Sequence, residues 1–315
     1  MAQTRAAVIG ASGIGKHHAK WLATEGCEVV AFVGQTPESV AKTTETLSKL
    51  FPFAGRGYTD VGEMLARERP ELVSVCSPHV RHRDHAVAAL QAGAHVLCEK
   101  PLFWDDSRSA AEVLAGARKM VETARRAGRQ LAINTQYVAA LPVYEEIYHR
   151  VRGPLGEVEQ IYYEMESKGG NRGEEIWVDL ASHALSIVLR WSPGGSLREE
   201  TVDCRIGERE VHAAFDYGAA HVEIALRDVS EGTPKRRLGA NGLIVNLAGR
   251  NDAQGVFRTY LNCEGEERAG PDLVHTSIAR FVAAARGQGE VLASGEEGYR
   301  NLALHLALRA RARRV

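Results

Sequence analysis

Through its first 135 residues the chain alternates short apolar runs with longer stretches whose apolar positions recur at helical spacing. That rhythm predicts parallel strands joined by helices packed on both faces of one sheet. Strands are expected at 6–10, 28–33, 71–76, 95–98 and 130–134, with helices at 13–25, 37–50, 81–91 and 107–126 and a short one ending near 66. Local chemistry supports the boundaries: Pro37 and Glu38 open the second helix, Thr59 or Asp60 can cap the short one, and Gly128 stands just past the last. From about residue 141 the pattern changes. A helix to 151 precedes Gly153-Pro154-Leu155-Gly156 and a long alternating strand at 157–166; further strand-like stretches fall at 202–206, 210–217, 221–226, 243–247 and 256–261. Successive strands with few helices between them predict a large, mostly antiparallel or mixed sheet. Helical patterns at 273–285 and 296–313 close the chain. The expected fold class is therefore α/β, a doubly wound domain over 1–135 followed by an α+β domain over 136–315.

Composition agrees with two cores. The chain has 315 residues, 44% hydrophobic and 25% charged, more than one domain usually holds. Its 39 Lys and Arg balance 40 Asp and Glu, so the broad positive field that drives nucleic-acid binding is absent and a small molecule is the expected partner. Cys27, Cys76, Cys98, Cys204 and Cys263 show no paired C-x-x-C spacing, and three lie in or beside apolar runs. They read as reduced thiols, which with no basic, apolar leader and no run of about 18 uncharged apolar residues predicts a cytoplasmic protein without a membrane partner.

Gly10-Ala11-Ser12-Gly13-Ile14-Gly15 follows the first strand directly and opens a helix. Gly10 permits a tight turn, Gly15 allows close helix-to-strand packing, and Ser12 occupies the second position of G-x-G-x-x-G, with Gly13 beside it. A dinucleotide pyrophosphate is expected on the amides of Ser12, Gly13, Ile14 and Gly15, as in a Rossmann domain. The second strand ends Val33-Gly34-Gln35-Thr36, without the acidic residue that would bond the ribose hydroxyls and repel a 2′-phosphate. Gln35 and Thr36 take that place. The cofactor is NADP or NAD, and the missing carboxylate leans towards NADP.

Glu99-Lys100-Pro101 ends the strand His95-Val96-Leu97-Cys98, at the sheet edge where such folds bind ligands. An amine there can bond a substrate oxygen whose proton must move as hydride leaves the neighbouring carbon. By itself a lysine in a turn is a surface lysine, and only its place behind a glycine turn gives it meaning. The run Ser77-Pro78-His79-Val80-Arg81-His82, continuing through Ala92-Gly93-Ala94-His95-Val96-Leu97-Cys98 to Glu99-Lys100-Pro101, resembles the T-P-N-x-x-H and A-G-K-H-V-x-x-E-K-P signature of the Gfo/Idh/MocA oxidoreductases. His79 replaces that family's usual asparagine. The resemblance implies that Ser77, Pro78, His79, His82, Glu99 and Lys100 lie along the cofactor. His79, His82 and His85, three apart, do not read as a metal site: they spread around a helix, and no carboxylate or cysteine completes a tetrahedral set.

Asp179 and His183, four apart in an apolar helical run, project from one face with Cβ atoms roughly 5–6 Å apart. The bland reading is an aspartate at a helix start and a satisfied half-buried histidine. The pair also resembles the family's D-x-x-x-H motif. That resemblance implies His183 as general acid or base, Asp179 as the group that orients it, and Lys100 on the reacting oxygen. It further implies hydride transfer between nicotinamide and a secondary alcohol or ketone of a sugar, cyclitol or related polyol, in a homodimer or homotetramer. Two alternatives stand beside it: a redox-neutral enzyme with tightly held NAD(P), and a non-catalytic dinucleotide sensor or scaffold. Asn134-Thr135-Gln136-Tyr137 stands where many relatives carry arginine, which predicts a less cationic substrate surface.

Overall fold

The computed structural model describes residues 3–315. The chain divides into two compact units, one formed by residues up to 135 together with 274–299, the other by 136–273 and 300–315.

The first unit follows the rhythm read from the sequence: β1 (Arg5–Ile9), α1 (Gly15–Thr24), β2 (Glu28–Val33), α2 (Pro37–Leu50), β3 (Arg56–Tyr58), α3 (Val61–Glu68), β4 (Leu72–Val75), α4 (His82–Gln91), β5 (His95–Glu99), α5 (Ala110–Ala127) and β6 (Leu131–Asn134). The six strands are parallel, in the order β3-β2-β1-β4-β5-β6. Every residue of β4 and β6 is buried, because helices cover both faces of a parallel sheet. Side chains set the helix starts. Asp60 Oδ1 accepts from the Glu63 amide at 2.6 Å to begin α3. The Ser109 hydroxyl accepts from the Glu112 amide while the Glu112 carboxylate accepts from that of Ser109, so α5 begins at Ala110, three residues later than the pattern predicts. Gly128, at φ +62°, closes it. The short strand β3 was not anticipated.

In the second part of the chain come α6 (Leu141–Arg152), β7 (Gln160–Ser167), α7 (Glu174–Trp191), β8 (Leu197–Ile206), β9 (Glu210–Tyr217), β10 (Ala220–Asp228), β11 (Arg236–Ala240), β12 (Leu243–Asn251), β13 (Phe257–Cys263), β14 (Glu266–Gly270), α8 (Leu273–Ala285), α9 (Gly295–Arg309) and β15 (Arg313–Arg314). The nine strands form one sheet, β14-β13-β12-β11-β7-β10-β9-β8-β15, antiparallel except where β7 meets β10 and β8 meets β15. Exposed and buried residues alternate along β9, β10 and the first half of β12, so one face carries the core and the other is open. The strands β11, β14 and β15 were not anticipated. β11 opens on two arginines, which mask its apolar positions.

A contiguous second domain over 136–315 needs correction. Ile278, Phe281 and Val282 of α8 are buried in one cluster with Ala6, Val8, Leu97 and Ala132, and the Ile133 amide donates to the Ala293 carbonyl at 3.0 Å. Residues 274–299 thus close the core of the first unit. Among the described residues no helix is long and apolar enough to cross a membrane.

Candidate functional site

The carboxyl ends of parallel strands collect the loops that bind ligands, and the first group of candidate residues sits on those loops. β1 turns at Gly10, whose φ of +87° disfavours any L side chain; a Cβ there would come within 2.6 Å of the Cys76 carbonyl oxygen. A Cβ on Gly15 would collide with the Gly10 carbonyl oxygen. Gly13 differs, because a Cβ there would meet nothing within 4 Å. That open space lies before α1, where Ile14 at the cap makes no side-chain bond and the first turn carries no acid. Exposed amides and the positive end of the helix dipole favour an anion. Together they fit a dinucleotide pyrophosphate. The helix begins at Gly15 rather than at residue 13 because residues 11–14 form the turn.

At the end of β2, Gln35 is exposed, while Thr36 is drawn into the start of α2. Its hydroxyl accepts from the Ser39 amide at 3.2 Å, and Ser39 Oγ accepts from the Thr36 amide at 3.0 Å. Glu38 stands at the same helix start, held below the usual carboxylate range by bonds from its own amide and from Thr36. The stretch therefore carries one negative charge close to Gln35.

β5 ends on Glu99, whose carboxylate is turned inward and is 8% exposed. His18 Nε2 from α1 meets Glu99 Oε1 at 3.0 Å, and Asn134 Nδ2 from β6 donates to the same oxygen at 2.5 Å. The Lys100 amide donates to the other oxygen at 3.3 Å. Burial pushes this carboxyl upward, yet the His18 bond and charge, the Lys100 charge and the Asn134 bond outweigh it and hold it at about 2. Glu99 is thus an ionised anchor, and half-buried Lys100 follows it at the sheet's carboxyl edge. Expected beside a cofactor, Glu99 is committed to protein partners.

His82 ties the loop after β4 to the loop after β5. Its Nε2 lies 2.8 Å from the Ser77 carbonyl oxygen and its Nδ1 2.9 Å from that of Pro101. Burial outweighs both carbonyls and pushes its pKa to about 4, so near neutral pH the ring is uncharged and donates to one of them. His85 Nδ1 lies 2.9 Å from Ser77 Oγ, and His79 is exposed in a single 3₁₀ turn with Pro78 before it. The three histidines take different surroundings. Among the described residues no group of three or more His, Cys, Asp or Glu side chains could hold a metal ion.

The second group of candidates is in the other unit. The helix α7 starts at Glu174, one turn earlier than the sequence suggested, which puts Asp179 in the second turn and removes it from the cap. The dipole effect fades beyond the first turn. Asp179 Oδ2 instead accepts from Asn171 Nδ2 at 3.0 Å. His183, 4% exposed, stands edge-to-face against the Tyr137 ring, centroids 5.0 Å apart; Tyr137 meets Tyr163 at 6.1 Å. Burial raises the Tyr137 hydroxyl, opposed by the charge of Arg236 on β11 and by the hydrogen bond it gives to that hydroxyl. Nothing in the sequence pointed to Asn171 or Arg236, and Tyr137 stood out only as part of the substrate-surface stretch 134–137. His18, in an amphipathic helix, carries no sequence signal, and Asn134, which the sequence places at the substrate surface, bonds Glu99. A cavity of 660 Å³ in the same unit is lined by Glu145, His149, Arg190 and Trp191 among others, and by none of the candidate residues.

Known proteins resemble this chain in both sequence and fold. A family model described as the oxidoreductase family, NAD-binding Rossmann fold, matches residues 4–135. D-glucoside 3-dehydrogenase of Escherichia coli K12 is 34% identical over 156 residues, 49% of this chain and 41% of that protein. 1,5-Anhydro-D-fructose reductase of Ensifer adhaerens is 27% identical over 345 residues, 96% of this chain and 94% of that one. The chain thus spans under half of the first relative's length and nearly all of the second's. In fold, it is similar to UDP-N-acetylglucosamine 3-dehydrogenase GnnA from Acidithiobacillus ferrooxidans, with a TM-score of 0.73, 22% identity and coverage of 99% and 98%. Scyllo-inositol dehydrogenase from Lactobacillus casei gives a TM-score of 0.73 at 14% identity, over 98% and 96%. Residues 4–135, which hold the six parallel strands, thus match an oxidoreductase family with an NAD-binding Rossmann fold, and the chain as a whole is similar in sequence to a sugar reductase and in fold to sugar and cyclitol dehydrogenases.

Proposed function

We propose that the protein moves a hydride between C4 of a nicotinamide cofactor and a secondary alcohol or ketone carbon of a sugar, cyclitol or related polyol. The observation that carries this reading is the position of Lys100, directly after an ionised, three-partner Glu99 at the carboxyl edge of the parallel sheet. A nicotinamide bound there supplies the hydride chemistry, which leaves the protein binding, geometry and proton transfer. Lys100 bonds the reacting oxygen, His183 exchanges its proton, and Asp179, fixed by Asn171, orients the pair. The amides from Ser12 to Gly15 hold the pyrophosphate, while Ser77, Pro78, His79 and His82 shape the neighbouring loop. The test is to incubate the purified protein with NAD or NADP and a panel of sugars and cyclitols and follow absorbance near 340 nm. A substrate-dependent change supports the reading. Cofactor that survives purification without net turnover would move support to a redox-neutral reaction, and binding with no change for any substrate would favour a sensor.

The choice between NAD and NADP belongs to the same proposal. Gln35 does not repel a 2′-phosphate, which leans towards NADP, whereas Glu38 nearby limits that lean. Replacing Gln35 by Asp restores a like charge at the end of β2 and is expected to raise the NAD-over-NADP ratio of kcat/KM by about 10-fold or more. An unchanged ratio removes Gln35 from the cofactor site.

Assembly as a homodimer or homotetramer in the cytoplasm through the open face of the nine-stranded sheet completes the proposal. Exposed Ile244 is in register there with Gly239 and Tyr162. Light scattering should give two or four times the 34.3 kDa chain mass; a monomer would contradict it.

A further inference from the structure

Arg236 is a half-buried cation of the second unit. On β11 it pairs in register with Met165, and its alternate neighbour Leu238 pairs with Tyr163, so Arg236 stands on the same sheet face as the ring that meets Tyr137. Its charge acts on the Tyr137 hydroxyl, and the Tyr137 ring packs on His183. Its neighbour Arg237 points to the opposite face, where Glu164 Oε2 lies 3.3 Å from Nη1 and Glu164 also receives Arg227 at 2.9 Å. Among the described residues no carboxylate lies within 4.0 Å of the Arg236 guanidinium. Its Nε is buried with no hydrogen-bond partner. A half-buried guanidinium has lost much of its hydration, and here its Nε donor has nothing to receive it.

The geometry points to Arg236 as the group that recognises an anion on the substrate, a carboxylate or phosphoryl group carried by the sugar or polyol. This rests on the function proposed above and adds to it the substrate's charge. A guanidinium forms a planar fork matched to two oxygens of either group, and in partly desolvated surroundings such bonds are the stronger, charge-assisted kind. Tyr137 feels the charge of Arg236 and presents its ring to His183, so one tyrosine stands beside both the anion-binding group and the proton-transfer group. Asn134-Thr135-Gln136-Tyr137 itself carries no cation, so in this assignment the positive charge is brought by a different strand, β11.

A binding measurement separates this inference from the hydride-transfer reading. Titration calorimetry on the protein with NAD or NADP present uses D-glucuronate and D-glucose 6-phosphate as anionic probes and D-glucose as the neutral one. At least one anionic probe is expected to bind about 10- to 100-fold more tightly than glucose, which of the two distinguishing carboxylate from phosphoryl recognition. Arg236→Gln should abolish that advantage and leave glucose unaffected; Arg237→Gln should leave it intact. Arg236→Lys, which keeps the charge and folding contacts, should retain part of it. Equal binding of all three probes, or an advantage that survives in Arg236→Gln, would overturn the assignment. Anion-selective binding without any change at 340 nm would leave Arg236 in place and sink only the redox reading.

Discussion

Replacing His183 by alanine is expected to lower turnover by about 10²- to 10⁴-fold while leaving dinucleotide affinity unchanged. The split follows from where the residue sits. His183 belongs to α7 in the second unit, packed on Tyr137, whereas the glycine turn and the Glu99 anchor belong to the first. Loss of the imidazole removes a proton acceptor or donor without touching Gly10, Gly15 or the open start of α1. Steady-state kinetics together with calorimetric titration of the cofactor read the two halves separately. Normal turnover in the variant would remove His183 from the chemistry, and loss of cofactor affinity would mean that the substitution disturbs more than proton transfer.

The second large effect is on stability. Glu99 is buried with His18 and Asn134 against one of its oxygens, so Glu99→Ala strands two polar groups and is expected to cost about 3–5 kcal/mol. The conservative Glu99→Gln tests the charge. In the fold this carboxyl sits at about 2, below its ordinary 4.5, so the ionised form is the one the fold favours. Its contribution, about 3 kcal/mol, is complete above pH 4.5 and drains away as the pH falls from there towards 2. Urea midpoints taken between pH 7 and pH 3 should fall with acid more steeply in the wild type than in Glu99→Gln. Parallel acid limbs would show that Glu99 is not the ionised anchor.

Much of the first unit could be read from the chain alone, because its strands are buried on both sides and so appear as short unbroken apolar runs, while Asp60 and Gly128 mark helix ends through a hydrogen bond and a backbone angle of their own. The glycine turn was legible because local geometry forces the residue type at Gly10 and Gly15. What stayed hidden depends on contacts distant in sequence. Ile278, Phe281 and Val282 look like any amphipathic helix until they are found buried with β1, and nothing in their spacing says which sheet they cover. His18, Glu99 and Asn134 are 81 and 35 residues apart in pairs and meet only because α1, β5 and β6 end near one another. Arg236 was invisible because two adjacent arginines argue against a strand; only the register with Met165 and Tyr163 reveals that each serves a different face.

The claim on which the account turns is that Lys100 and His183 act on one substrate oxygen. A crystal structure with oxidised cofactor and a bound polyol measures this directly. The account predicts Lys100 Nζ and a His183 ring nitrogen both within about 2.6–3.2 Å of the same hydroxyl oxygen, on the carbon facing nicotinamide C4. A complex in which the polyol touches only one of the two side chains, or binds away from the nicotinamide, would contradict it.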